Sequence, residues 1–317
     1  MTIKVFALEK MLYTPFVNAP GVAILREHDI VDTDDPRDAD LFVSKKWNKG
    51  VFLELMLRYG AKKPLLVWTD EPRFCMNTKE RIVGPFGIPT VHIMNVFNRR
   101  VYFCNYSIYG YNIRGELPRV TPSDVTDKRS RKAVAVVGYR RRTPPVVIDG
   151  VDTDIIVRRQ ELILAGHRRG LVDVYGKDWP KGIARGESRS ADWVRAKAAI
   201  LDGYRFNICM ENTDFDYYVT EKIWNAITAR CLPIYRGGTN KIFEEFERGS
   251  FIDPNDFSGP EPILDLIESM SDAEYCERLD SCIATYNKIW NRQDYKAQYR
   301  RTVETIVRTI REIVGAT

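Results

Sequence analysis

Residues 205–227 read "RFNICMENTDFDYYVTEKIWNAI". Arg205 to Met210 has the apolar content of a short buried strand, and Val219, Ile223, Ala226 and Ile227 recur at helical spacing. Between the two lie Glu211, Asn212, Thr213, Tyr218, Thr220, Glu221 and Lys222, more charged and hydrogen-bonding groups than a connection needs. Lys222 is the odd member. A cation in a first helical turn faces the positive end of the macrodipole and is disfavoured there unless an anion sits between them. Open parallel sheets build ligand sites where a strand hands over to a helix in this way. In such a site Glu221 suits ribose hydroxyls, Lys222 suits a phosphate, and Asn212 and Tyr218 suit orientation. A surface turn with a Glu/Lys pair is the plainer alternative, and composition alone leaves both standing.

Outward from this stretch, short β-rich runs alternate with helical patterns. A first series of strands is expected at 3–8, 40–44, 64–68, 90–96 and 132–139, and a second at 172–176, 205–210, 232–237 and 250–253. Helices are expected near 154–169, 189–203, 218–230 and 240–247. Short apolar strands joined by helical crossovers indicate parallel sheets covered on both faces. Two series imply two Rossmann-like domains, with the break at "YRRRTPPVVIDG" (139–150), where Pro144-Pro145 and flanking charge mark a linker. The expected domains are 1–142 and 143–291, followed by a terminal segment, 292–317.

The terminal helix, 296–314, gathers Tyr299, Val303, Ile306, Val307, Ile310, Ile313 and Val314 on one face and arginines on the other. Packing on the protein body is the expectation. A basic amphipathic helix in peripheral contact with a membrane is the alternative.

Composition narrows the classes. A length of 317 residues, 44% hydrophobic and 29% charged, suits a soluble two-domain protein. A net charge of +5 fits an acidic small molecule and hardly argues for nucleic acid. Cys75, Cys104, Cys209, Cys231, Cys276 and Cys282 form no CxxC pair, and several lie in apolar runs, as buried thiols of a reducing compartment do. His28, His92 and His167 are too scattered to hold a metal with them. No run approaches the ~20 apolar residues of a membrane span, and the N-terminus does not read as a signal peptide. A cytoplasmic location is the expectation.

The stretch "FNICMENTDFDYYVTEKIWNAITARCLPIYRGG" (206–238) resembles the donor signature of the α1,3/4-fucosyltransferases, glycosyltransferase family 10. It matches F-x-x-x-x-E-N-T, Y-V-T-E-K and P-I-Y-x-G without gaps, and "SFIDPNDF" (250–257) and "VDVYG" (172–176) resemble further blocks. The similarity runs from about Arg158 to Trp290. It implies a GT-B fold: α/β, with two Rossmann-like domains, a cleft between them and a C-terminal helix crossing back. It also implies GDP-fucose as donor substrate. Carried over, Arg159 and Lys222 grip the diphosphate and Glu221 binds the ribose, with Asn212 and Tyr218 beside them; Arg158 is the alternative to Arg159. One departure is "VVGYRRR" where the family often has a Ser-Asn pair, and Arg140 to Arg142 read as solvated charge.

Inverting transfer from GDP-β-L-fucose needs a base from the side opposite the diphosphate. "LLVWTDEPRF" (65–74) ends an apolar strand in Asp70-Glu71-Pro72. It resembles the family's short Glu-Pro stretch, which makes Glu71 the expected base and Asp70 the alternative; a turn carboxylate before proline is the plainer reading. "DTD" (152–154) and "DFD" (214–216) imitate the DxD of metal-dependent transferases, but Lys222, Arg159 and a helix N-terminus make a metal unnecessary. No metal or cofactor is therefore expected. The acceptor expected is an oligosaccharide or glycoconjugate carrying N-acetylglucosamine or glucose, its choice made in loops 72–88 and 96–118. Two rival readings are transfer from another GDP-hexose and nucleic-acid binding through Lys128, Arg129, Arg131, Lys132 and Arg140 to Arg142.

Overall fold

The structure, a computed structural model, describes residues 1–11, 14–59, 63–83, 90–121, 130–187 and 193–315. Its contacts divide the chain into Met1–Ile108 with Lys296–Thr317, and Tyr109–Tyr295.

The first unit holds a six-stranded sheet. Its strands are β1 (Ile3–Ala7), β2 (Ile30–Asp32), β3 (Leu41–Ser44), β4 (Leu65–Trp68), β5 (Arg81–Ile82) and β6 (Val91–Met94), in the order β2-β1-β3-β4-β6-β5. All pairings are parallel except β5 with β6. "LFVS" and "LLVW" are buried along their whole length, as strands covered on both faces must be. Helix α1 (Ala19–Glu27) starts where Asn18 accepts from the Gly21 N–H and proline occupies the first turn. Helix α2 is Lys49–Tyr59.

The second unit is built on a parallel sheet of β7 (Ser130–Val136), β10 (Val172–Tyr175), β11 (Ala184–Gly186), β12 (Tyr204–Ile208) and β13 (Leu232–Ile234), ordered β11-β10-β7-β12-β13. A small hairpin, β8 (Val147–Ile148) and β9 (Val151–Asp152), precedes helix α3 (Ile156–Arg168). Helices α4 (Trp193–Asp202), α5 (Glu221–Thr228), α6 (Pro260–Ser269) and α7 (Asp272–Arg292) follow.

Three expectations are corrected. The strand at 132–139 belongs to the second sheet, where β7 pairs with both β10 and β12 at the centre. The division of the chain therefore falls before Tyr109 and not at 142/143. Residues beyond it are tied to α7: the Arg114 N–H donates to the Tyr286 hydroxyl, and the Leu117 and Val120 N–H groups donate to Asn287 and Asp280. Loop 109–118 thus lies in the second unit. The helix expected at 240–247 is only a short 3-10 turn, Ile242–Glu244. Residues 84–88 of one expected acceptor loop, the start of the helix at 189, and Lys128 and Arg129 of the rival basic patch lie outside the described residues.

The terminal helix α8 (Tyr295–Val314) belongs, from Lys296 on, to the first unit. Val303, Ile306, Val307 and Ile310 are at most 3% exposed. Polar contacts fix its register: the Thr302 hydroxyl donates to the Val101 carbonyl, the Tyr299 hydroxyl to Asn18 Oδ1, and Arg300 pairs with Glu27 at 2.7 Å. The apolar stripe is internal to this unit, except that Tyr299, Ile313 and Val314 remain half-exposed. Among the described residues no helix is long and apolar enough to cross a membrane. All six cysteines are free thiols, five of them buried.

Each of the buried aliphatic side chains Val303, Ile306, Val307 and Ile310 contributes about 1.5–3 kcal/mol. A protein lacking 296–317 is expected to be insoluble or to melt far below the full chain. Ile306→Ala alone is expected to cost about 2–5 kcal/mol in denaturant unfolding. A truncated protein with an unchanged melting temperature would contradict this packing.

Candidate functional site

The carboxyl end of β12 leads into Cys209, Met210 and Glu211, and Glu211 is 1% exposed. A carboxylate this deep must be satisfied internally. It accepts from the Thr220 N–H (2.8 Å), from the Thr220 hydroxyl (2.8 and 3.0 Å) and from Lys222 Nζ (2.6 Å). Lys222 also donates to Thr220 Oγ1 at 2.6 Å. This explains the cation in the first turn of α5: the anion that offsets the macrodipole is Glu211. Thr220 holds the N-cap position yet makes no side-chain cap bond, because its hydroxyl serves Glu211.

The loop after β12 is clamped to the segment before α3. The Asp214 N–H donates to the Thr153 carbonyl (2.8 Å) and the Ile155 N–H to the Asn212 carbonyl (3.3 Å). Arg159, 4% exposed, aims Nη1 at the carbonyls of Met210 (2.9 Å) and Glu211 (3.0 Å). The structure thus brings Arg159, Asn212, Glu221 and Lys222 to one strand end, with Tyr218 fully buried in the same loop. Arg158, the alternative, is exposed on α3. Burial pushes the Glu221 carboxyl up, but Lys222 and Lys197 outweigh it and bring the group down to about 2.

The "RGG" after β13 completes this end of the sheet. A Cβ on Gly238 would lie 2.1 Å from Asp214 Oδ2, and one on Gly237 would lie 2.2 Å from the Phe243 ring, so neither position admits a side chain. Asp253 of "SFIDPNDF" accepts from the Gly237 N–H (3.2 Å) and the Asn255 N–H (2.9 Å). The two DxD patterns have local employment. Asp152 and Asp154 accept from the N–H groups of Asp154 and Ile156, Asp214 accepts from the Asn240 N–H, and Asp216 pairs with Lys241. In the departing "GYRRR" segment, Gln160 holds Arg140 by its backbone, and the side chains of Arg140 to Arg142 are exposed.

In the first unit, β4 ends in Thr69, Asp70 and Glu71. Thr69 Oγ1 accepts from the Glu71 N–H (3.0 Å), and the Glu71 carbonyl accepts from the Phe74 N–H (3.1 Å), so the turn is pinned. Asp70 is 2% exposed and pairs with the equally buried Lys45 at 2.9 Å. Glu71 is only half-buried.

Residues 156–305 match the family model described as glycosyltransferase family 10 (fucosyltransferase), C-terminal. That match covers a little under half of the chain, so the likeness to glycosyltransferase family 10 is that of this domain. An α-(1,3)-fucosyltransferase of Helicobacter pylori is 37% identical over 75 residues, 24% of this chain and 16% of that protein. α-(1,3)-Fucosyltransferase B of Drosophila melanogaster is 27% identical over 143 residues, 43% of this chain and 31% of that protein. The chain therefore spans less than a third of the length of these curated relatives. Among solved structures, an α1,3-fucosyltransferase superposes with a TM-score of 0.50 at 15% identity, covering 93% of this chain and 92% of that one. A DNA-modifying β-glucosyltransferase superposes at 0.51 with 12% identity, covering 99% and 100%. These likenesses show the fold, which is that of the GT-B glycosyltransferases.

Within the family 10 domain, sequence reasoning assigned no role to Glu211, Thr220 or Lys197. Glu211 and Thr220 stood in the dense polar stretch, and a buried acid facing a first-turn lysine was the signal available. Lys197 sits in "VRAKAAIL" with nothing to mark it. Lys45 was equally silent.

Because the Glu221 pKa is depressed on folding, its ionised form adds stability that is full above about pH 4.5 and is lost as pH falls toward 2. The unfolding free-energy gap between wild type and Glu221→Gln should therefore be constant above about pH 5 and close progressively below it. A gap that does not change between pH 5 and 2.5 would contradict the ionised carboxylate paired with Lys197.

Proposed function

We propose that the chain moves L-fucose from GDP-β-L-fucose to a hydroxyl of a glycan acceptor containing N-acetylglucosamine or glucose, forming an α1,3 linkage with inversion. The observation that carries this reading is Lys222, held by buried Glu211 and Thr220 in the first turn of α5, with Arg159 on the same strand end. The family 10 domain supports the fucosyl donor.

In the proposed reaction Glu71 takes the proton of the acceptor hydroxyl as that oxygen attacks the anomeric carbon. The bond from that carbon to the diphosphate oxygen breaks, and its electron pair leaves with GDP. Attack opposite the leaving group turns the β donor into an α product. Lys222, Arg159 and the N-terminal N–H groups of α5 stabilise charge on the departing diphosphate. A guanidinium has five donors, enough to serve backbone carbonyls and a phosphate together. Glu221 accepts from the ribose hydroxyls, and Asn212 and Tyr218 shape the loop around the nucleotide. The cations supply the charge stabilisation that a metal would otherwise give, so metal-free transfer is part of the proposal.

Glu71 is favoured over Asp70 as base on access. Asp70 is spent in a buried pair with Lys45, whereas Glu71 stands half-exposed on a fixed turn. Transfer from another GDP-hexose remains the second reading, since the contacts above address the nucleotide and not the sugar.

Lys222→Ala should weaken GDP binding about tenfold or more in titration calorimetry, the worth of a charge-assisted hydrogen bond. Unchanged affinity would remove the nucleotide from this strand end. Glu71→Gln should abolish transfer while GDP affinity and melting temperature stay near wild type. Asp70→Asn should instead destabilise the fold by about 3–5 kcal/mol, because it strands Lys45. An active Glu71→Gln variant would take the base assignment away from this residue.

A further inference from the structure

Glu221 and Lys222 are adjacent, yet each is held from a different element. Lys222 is gripped by Glu211 at the end of β12. Glu221 is met by Lys197 of α4, whose Nζ lies 3.5 Å from Glu221 Oε1. The Lys197 side chain is 10% exposed and that of Glu221 20%. Lys197 buries its stem and brings its ammonium to the carboxylate. A lysine is rarely buried unless paired, and the partner here is the carboxylate read above as the ribose ligand.

That carboxylate has a demanding task. The two hydroxyls of a ribose are both donors toward it, so it must be acceptor-only, which requires the ionised form. Burial works against ionisation, and the charges of Lys222 and Lys197 work for it, so the group is held well below the ordinary range. Lys222 Nζ is bonded to Glu211 at 2.6 Å, and Lys197 is the ammonium placed against Glu221 Oε1. A surface ion pair would be worth little. This one lies at the N-terminal residue of α5 and ties α4 to it.

We propose that Lys197 is a positioning residue for the donor: by its contact to Oε1 it holds Glu221 ionised and oriented as acceptor for the ribose hydroxyls, and so gives the site its preference for ribonucleotide over deoxyribonucleotide diphosphates. The inference rests on the ribose reading of Glu221. Lys197 itself touches no part of the donor.

The test is calorimetric titration of the full chain with GDP and with 2′,3′-dideoxy-GDP. Wild type should prefer GDP by about tenfold or more, the value of a hydrogen bond to a charged acceptor. Lys197→Met should bring that ratio to within about twofold of unity, as Glu221→Gln does, and Lys197→Arg should keep most of it. The double variant Lys197→Met/Glu221→Gln should bind GDP no more weakly than Glu221→Gln alone. That comparison also serves if Lys197→Met by itself does not fold, since the double variant leaves no carboxylate unpaired. A Lys197→Met protein that keeps the wild-type ratio while Glu221→Gln loses it overturns the inference and leaves the donor site in place. So does a double variant that binds GDP far more weakly than Glu221→Gln. A Glu221→Gln protein that keeps the ratio overturns the ribose reading itself, and the role of Lys197 falls with it.

Discussion

A buried carboxylate sets the architecture of the second unit's strand ends. Glu211 is out of water at the tip of β12 and takes hydrogen bonds from a backbone N–H, a hydroxyl and an ammonium. A carboxylate buried without those partners would cost several kcal/mol. The loop from Met210 to Thr220 must therefore return to Glu211 before α5 can begin. That return fixes where the helix starts and places Glu221 and Lys222 in its first turn. The clamp from Thr153 and Ile155 and the guanidinium of Arg159 lock the same loop from the other side.

The charges at this strand end come in pairs. Lys222 answers Glu211 and Lys197 answers Glu221. Cations that are already held pay less ordering cost when an anionic ligand arrives, because their rotamers are fixed beforehand. The same economy governs β4 in the first unit, where the Lys45–Asp70 pair and the Thr69 bonds fix the turn and leave Glu71 as its accessible acid.

The sequence made much of this legible, and the misses have physical causes. Fully apolar runs such as "LLVW" announced parallel strands, and the handover at 211–222 announced a site. β7 was assigned to the wrong sheet because a strand's partners are set by long-range pairing that no local pattern encodes. The Pro144-Pro145 stretch reads as a linker but lies in the second unit, close to the β8–β9 hairpin. The pattern at 240–247 is apolar at helical spacing yet forms only one 3-10 turn, where Asn240 and Asp214 bind the backbone instead. Lys197 and Lys45 were invisible because a lysine in a helix or after a strand is ordinary until its burial is seen.

The central proposal, that this chain is a GDP-fucose-dependent transferase, is tested most directly by incubating it with radiolabelled GDP-fucose over an array of glycan acceptors, with GDP-mannose as the control donor. The account predicts label on acceptors bearing N-acetylglucosamine or glucose from GDP-fucose, and none from GDP-mannose. Transfer from GDP-mannose with none from GDP-fucose, or no transfer from either to any acceptor, would contradict it.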